Sequence, residues 1–188
     1  MPTILSRRVV GDPILRKQAK LIDKNNIGSA KIQTLIRDML RTLKAKEYGI
    51  AIAAPQVGES IALVVIDIKK TPTRPDIDEY SAILINPKIL KYLGKTEFMR
   101  DGCISVGAED DPLYGWSERY PKVVVEWLDE AGNRQQAEFD GLLAHVMQHE
   151  IDHLNGRLFI DLVKDSKTYI HASEYLKIQK HESNTDSI

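Results

Sequence analysis

The sequence predicts an α+β fold, with mixed or antiparallel sheets packed around a central helix near residues 140–155, and three observations predict it. Leu142, Val146, His149 and His153 recur at i, i+4, i+7 and i+11, with Leu143, Met147 and Leu154 widening the apolar flank and Asn155-Gly156 as a stop. Aliphatic, β-branched runs bounded by Gly, Pro and Asn read as strands over 61–68, 81–87, 88–93, 122–128 and 134–139, and 98–105 leads into the stretch around Cys103. A second amphipathic helix spans 29–48 and belongs outside the strands.

Each element has a local reason. Gly11-Asp12-Pro13-Ile14-Leu15-Arg16 is a turn followed by a short extended or helical piece. Ser29 is placed to cap the 29–48 helix, Ile32, Leu35, Ile36, Met39, Leu40 and Leu43 form its stripe, and Gly49 ends it. The run Gly49-Ile50-Ala51-Ile52-Ala53-Ala54-Pro55-Gln56-Val57-Gly58 is rich in small residues, which lets a neighbouring strand or a ligand approach the backbone. Gln56 is an amide among apolar neighbours, so it either caps local backbone or points into a site. Residues 69–79 read as an exposed loop, and Asn86-Pro87 breaks the next strand in two. Residues 107–119, acidic and rich in Gly, Pro and aromatics, read as a surface loop beside the site. A hairpin turns at Glu130-Ala131-Gly132-Asn133, and 166–181 form a C-terminal helix. The expectation is one domain over 1–181 and a frayed tail over 182–188.

Composition excludes several classes. With 188 residues, 43% hydrophobic and 28% charged, the chain has the make-up of an ordinary globular domain. Lys and Arg number 26 against 27 Asp and Glu, so there is no basic field for specific nucleic-acid binding. One cysteine precludes an internal disulfide and fits a reducing compartment. No apolar core of a signal peptide follows Met1, and no run approaches the roughly 20 residues of a membrane helix. The expectation is a cytoplasmic protein without a membrane partner.

Chemistry concentrates at Gln148-His149-Glu150-Ile151-Asp152-His153. Two His four apart on a helix lie one turn above the other, so both rings reach one cation, and Glu150 is placed to hold and deprotonate a water there. Two core histidines on an apolar face are the bland alternative. A zinc or iron hydrolase needs a third protein ligand and an open position. Phe159 stands where a metzincin would place its third His. The residues leave open Glu174, 21 residues past His153, as well as His171 and the lone Cys103, whereas His145, a turn before His149, lies too far along the axis for all three His to converge on one ion without distortion.

Three stretches in order, Gly49 to Gly58, Asp101-Gly102-Cys103-Ile104-Ser105 and Gln148 to His153, resemble the three motifs of the peptide deformylase family, and Gly11-Asp12-Pro13-Ile14-Leu15-Arg16 is similar to that family as well. The resemblance runs from about residue 9 to 163. It implies that Cys103, His149 and His153 bind one divalent metal, with Fe(II) the family's usual ion and Zn(II), Ni(II) or Co(II) as substitutes. It implies that Glu150 is general base and acid, and that Gln56 and the backbone N–H of Ile104 stabilise the oxyanion. Gly49, Ile50, Ala51, Gly102 and His145 would then line the substrate site, with Asp101 and its partner Arg119 behind it. The implied reaction is removal of the N-terminal formyl group from formyl-methionine of a nascent polypeptide near the ribosome, releasing formate. The alternatives are a His-Glu-x-x-His metallopeptidase with Glu174 as third ligand, and a relative that binds without turnover.

Three residues depart from the family's pattern. Asp101 replaces the usual Glu, and the shorter arm predicts a looser pair with Arg119. Ala51 replaces a Gly, adding a Cβ that narrows the site or demands a negative φ, and Gly107 stands where a Pro is common. His145 borders the expected methionine pocket, where it packs at the edge or makes side-chain selection depend on pH.

Overall fold

The computed structural model describes residues 3–45, 49–70, 77–108 and 111–185. A five-stranded antiparallel sheet has the order β1 (Ala51–Ala53), β2 (Leu63–Ile68), β3 (Tyr80–Leu93), β6 (Lys122–Leu128), β7 (Arg134–Asp140). A three-stranded antiparallel sheet joins β4 (Glu97–Gly107), β5 (Pro112–Arg119) and the short β8 (Ile170–His171). Helix α1 spans Ala30–Lys44, α2 spans Gly141–Leu154 and α3 spans Ala172–Thr185.

The continuous apolar run of β2 is explained by burial on both faces. Val64, Ile66 and Ile68 join Ala51 and Ala53 against Ala144, Met147, Ile151 and Leu154 of α2. Leu63 and Val65 join Ile52 against Ile32, Ile36, Met39 and Leu43 of α1. Helix α1 therefore covers the outer face, while α2 lies between the five-stranded sheet and strand β4, with every residue from Ala144 to Ile151 buried. A helix enclosed on nearly all sides can hide polar side chains only if they meet one another.

Ser29 caps α1 by accepting from the Ile32 N–H at 3.4 Å. The helix ends at Lys44, earlier than expected; residues 46–48 lie outside the described set. Asn86-Pro87 does not divide β3. Asn86 takes φ 53° and the register slips between Ile85 and Lys88, so the strand absorbs the proline as a bulge. Its side chain is tied down by Ile22, accepting from N–H and donating to C=O at 2.8 Å each. The larger correction concerns 107–119. Residues 112–119 form β5, paired with β4 from Glu97↔Arg119 to Cys103↔Leu113, because Leu113, Gly115, Ser117 and Arg119 alternate inward. Residues 71–76 and 109–110 of the two expected loops are outside the described set. Helix α3 starts later than expected, after a 3₁₀ turn at Ser166–Thr168, and runs to Thr185 past the expected boundary at 181; residues 186–188 of the expected tail are not described.

Candidate metal centre

Strand β4 and helix α2 face each other across the site. Alternation along β4 turns Asp101 and Cys103 toward α2, and the i, i+4 spacing turns His149 and His153 back toward them. His153 Nε2 lies 3.3 Å from Cys103 Sγ and 3.2 Å from His149 Nε2. All three side chains are buried, and their ligand atoms lie within 4.8 Å of one another. Three buried Lewis bases this close suit one cation better than one another's company, and the thiolate/imidazole set is that of zinc or ferrous iron.

Behind the ligands, Asp101 is 1% exposed and fully committed. Its Oδ1 meets His149 Nδ1 at 2.7 Å and His145 Nε2 at 3.2 Å. Its Oδ2 accepts from Ser117 Oγ at 3.0 Å, Arg119 Nε at 3.1 Å and Arg119 Nη2 at 2.7 Å. Arg119 also donates to Asp152. The expected loosening of the Asp101–Arg119 pair is therefore absent: the β4/β5 pairing brings the shorter carboxylate within reach of both guanidinium nitrogens. Burial alone would raise the Asp101 pKa, but the His149 charge and the hydrogen bonds from His145 and His149 hold it well below the usual range. Burial likewise disfavours a charged His149, and the Asp101 carboxylate overrides it, raising that ring well above its ordinary value. With Nδ1 given to Asp101, the Nε2 of His149 is the atom turned to Cys103 and His153, where a cation can replace the proton. His153 differs: burial and the neighbouring His149 charge push it well below its ordinary value, and its Nδ1 is buried with no hydrogen-bond partner among the described residues. Of the two rings, His149 alone rests its second nitrogen on a protein acceptor among the described residues.

Glu150 is 4% exposed, and burial raises its carboxyl to about 7, with Asp101 adding to the rise and His149 opposing it. Its Oε2 has no hydrogen-bond partner among the described residues. A carboxyl that is desolvated, with a buried oxygen left unpartnered, and poised near neutrality is suited to moving a proton.

Gln56 resolves the choice between cap and site by doing both. Its Oε1 accepts from the Ala53 N–H at 2.8 Å, which fixes the amide, and its Nε2 faces Ser105 Oγ at 3.1 Å and Cys103 Sγ at 3.5 Å. Ile104, Ser105 and Val106 are skipped by the β4/β5 register, so Ile104 leaves the ladder beside this amide. Arg7 donates to the Ile104 carbonyl, and Ser105 N–H points at Cys103 Sγ from 3.3 Å.

A cavity of about 200 Å³ opens on these groups. Gly49, Ile50, Ala51, Gln56, Gly102, Cys103, Ile104, His145, His149 and Glu150 all line it, as does Asp101; His153 and Arg119 sit behind. Ala51 keeps a negative φ within β1, so its Cβ is accommodated without strain. Gly107 has φ +98°, a value closed to proline, and makes the turn into β5. Four lining residues were not anticipated: Arg100, Tyr114, Leu142 and Val146. The alternation Leu113-Tyr114-Gly115-Trp116 was the available signal for Tyr114, hidden by reading 107–119 as a loop. Tyr114 also explains Gly102, where a Cβ would meet ring atoms at 1.9 Å. Gly102→Ala is expected to cost about 1–3 kcal/mol of stability by overpacking and to lower activity by moving that ring; an unchanged urea midpoint would remove this role.

The other ligand candidates fall away. Glu174 lies on α3 with its side chain 58% exposed and 2.7 Å from Lys177, and His171 is paired with Asp111. Neither joins the histidine pair among the convergent ligand atoms, and α3 packs on β5 and β8.

Fold and site together define an α+β protein with a buried Cys/His/His group beside a buried glutamate on a His-Glu-x-x-His helix. A family model described as Polypeptide deformylase matches residues 6–169. Peptide deformylase 2 of Vibrio cholerae is 43% identical over 173 residues, covering 92% of each chain. The peptide deformylase of Dictyoglomus thermophilum is 38% identical over 154 residues, 82% of this chain and 89% of its own. Among solved structures, the Met-Ala-Ser-bound class I type b peptide deformylase of Acinetobacter baumannii aligns with a TM-score of 0.79 at 32% identity, over 87% of this chain and 100% of that one. The Synechococcus elongatus peptide deformylase in complex with actinonin gives 0.75 at 38% identity, over 87% and 81%. The chain belongs to the polypeptide deformylase family.

Proposed function

We propose that this protein is a metal-dependent hydrolase that removes the N-terminal formyl group from the formyl-methionine of nascent polypeptides, releasing formate. The observation that carries the reading is Glu150: a buried carboxyl raised to about 7, with one oxygen unsatisfied, in the same cavity as three convergent donor atoms and a fixed amide. Cys103, His149 and His153 hold the ion, Fe(II) in the cell, with Zn(II), Ni(II) or Co(II) able to replace it in the same donor set. When bound, a divalent cation lowers the pKa of water and polarises the formyl oxygen.

Glu150 takes the proton from the attacking water and returns it to the leaving amine. Gln56 Nε2 and the Ile104 N–H donate to the oxygen that gains charge as the carbonyl carbon becomes tetrahedral. Asp101, held by Arg119, fixes the ring orientation of His149. Gly49, Ile50, Ala51 and Gly102 leave room for peptide backbone, and His145 borders the methionine side chain. One catalytic domain, residues 1–181, carries all of this. The substrate exists only on new chains, so the reading places the work in the cytoplasm beside the ribosome.

The test is formate release from a formyl-Met peptide by anaerobically purified protein of measured metal content. Turnover that scales with bound metal supports the reading; metal-loaded protein that releases no formate overturns it. Gln56→Ala is expected to lower kcat by about 10²–10³ with little change in KM, because its amide acts in the transition state. A normal kcat would reduce Gln56 to the cap on Ala53.

A further inference from the structure

On the face of β4 opposite Asp101 and Cys103, Arg100 stands at the cavity with Trp116 directly across on β5. Its guanidinium carbon is 4.7 Å from the Trp116 ring centre and 4.5 Å from that of Tyr175, on α3. Tyr175 in turn packs against Tyr114 at 5.8 Å. The guanidinium lies over the faces of both rings, which supply no carboxylate, so its forked N–H groups can take a bidentate acceptor. Every described carboxylate nearby is already engaged. Asp101 faces the other way onto Arg119 and the histidines, Asp111 accepts from Ser173, Glu118 pairs with Lys164 and Glu174 with Lys177. Among the described residues Arg100 has no ion pair, although it is half-buried and lines the cavity.

We propose that Arg100 is a specificity residue that takes a carboxylate of the peptide, from an Asp or Glu side chain at the third residue of the formylated chain. The inference rests on the deformylase reading and adds a preference to it. Arg100 lies three positions before Cys103 on a strand, about 10 Å along it. A peptide extended along β4 with its formyl carbon at Cys103 has its third residue level with Arg100.

The experiment compares formyl-Met-Ala-Glu-amide with formyl-Met-Ala-Gln-amide, two side chains of nearly equal size that differ in charge. The free acid formyl-Met-Ala-Gln supplies the other source of a carboxylate, the chain end. The expected kcat/KM ratio of Glu over Gln is about fivefold at low salt and about one in 0.5 M NaCl. Arg100→Gln should bring the low-salt ratio to about one, and Arg100→Lys should keep part of it. A purely structural arginine would change both peptides alike and leave the ratio where it was, which overturns the proposal. A gain for the free acid with none for the glutamyl amide overturns the side-chain assignment. The product peptides Met-Ala-Glu-amide and Met-Ala-Gln-amide, titrated against Trp fluorescence, give the same ratio without turnover. If no peptide is deformylated, the functional reading fails, and that binding ratio still decides for or against Arg100.

Discussion

Glu150→Gln is expected to retain the metal and lose turnover, with kcat reduced by about 10²–10⁴-fold. The substitution is nearly isosteric at a side chain that is 4% exposed, so packing against its neighbours is preserved. What changes is proton capacity. The carboxyl at about 7 can take up and give back a proton near neutrality, and a carboxamide cannot. None of the three convergent ligand atoms belongs to Glu150, so metal content should stay stoichiometric. Metal analysis and steady-state kinetics on the same preparation check both halves. A fall in kcat of less than tenfold would require a different base, and loss of metal would make Glu150 part of the binding shell.

The second large effect is structural. Arg119→Met is expected to destabilise the metal-free protein by about 2–4 kcal/mol, because it removes the guanidinium shared by two carboxylates and leaves Asp152 only Arg157, 3.6 Å away. Arg119 is 3% exposed, its partner Asp101 is 1% exposed, and the Asp152 side chain is 15% exposed. Ser117 alone would remain to satisfy Asp101 Oδ2. Working without metal separates the loss of the pair from any weakening of metal affinity through His149. Urea unfolding followed by Trp fluorescence measures it, and a loss below about 1 kcal/mol would show that the Asp101 cluster tolerates its own charge. Restoring Glu at position 101 is not expected to rescue the variant, since the missing element is the cation.

The helix at 141–154 was legible from the sequence because burial against a sheet imposes a 3.6-residue period that composition alone does not produce. The same holds for α1, its Ser29 cap, β2 and the β6/β7 hairpin, each specified by contacts short in sequence or by one face of one element. The pair His149/His153 with Glu150 between them is likewise local, since one helical turn brings the rings together. Residues 112–119 were misread because their strand character comes from pairing with β4 and not from their own Gly, Pro and acidic composition. The partners of Asp101 also depended on tertiary structure: the β4/β5 register sets its distance to Arg119, and the packing of α2 supplies His145 and His149.

The third ligand shows the boundary most clearly. The residues left Cys103, Glu174 and His171 open, and only the resemblance to a family singled out Cys103. The fold puts Cys103 3.3 Å from His153 and leaves Glu174 exposed on α3 beside Lys177. Residue types and helical spacing determined that a cation could be bound and that a carboxylate would stand beside it. Which aromatic rings hold Arg100 at the cavity was decided by the β4/β5 register and the packing of α3, and which strand completes the ligand set by the docking of a three-stranded sheet on α2. That docking depends on contacts far apart in the chain, which no local pattern records.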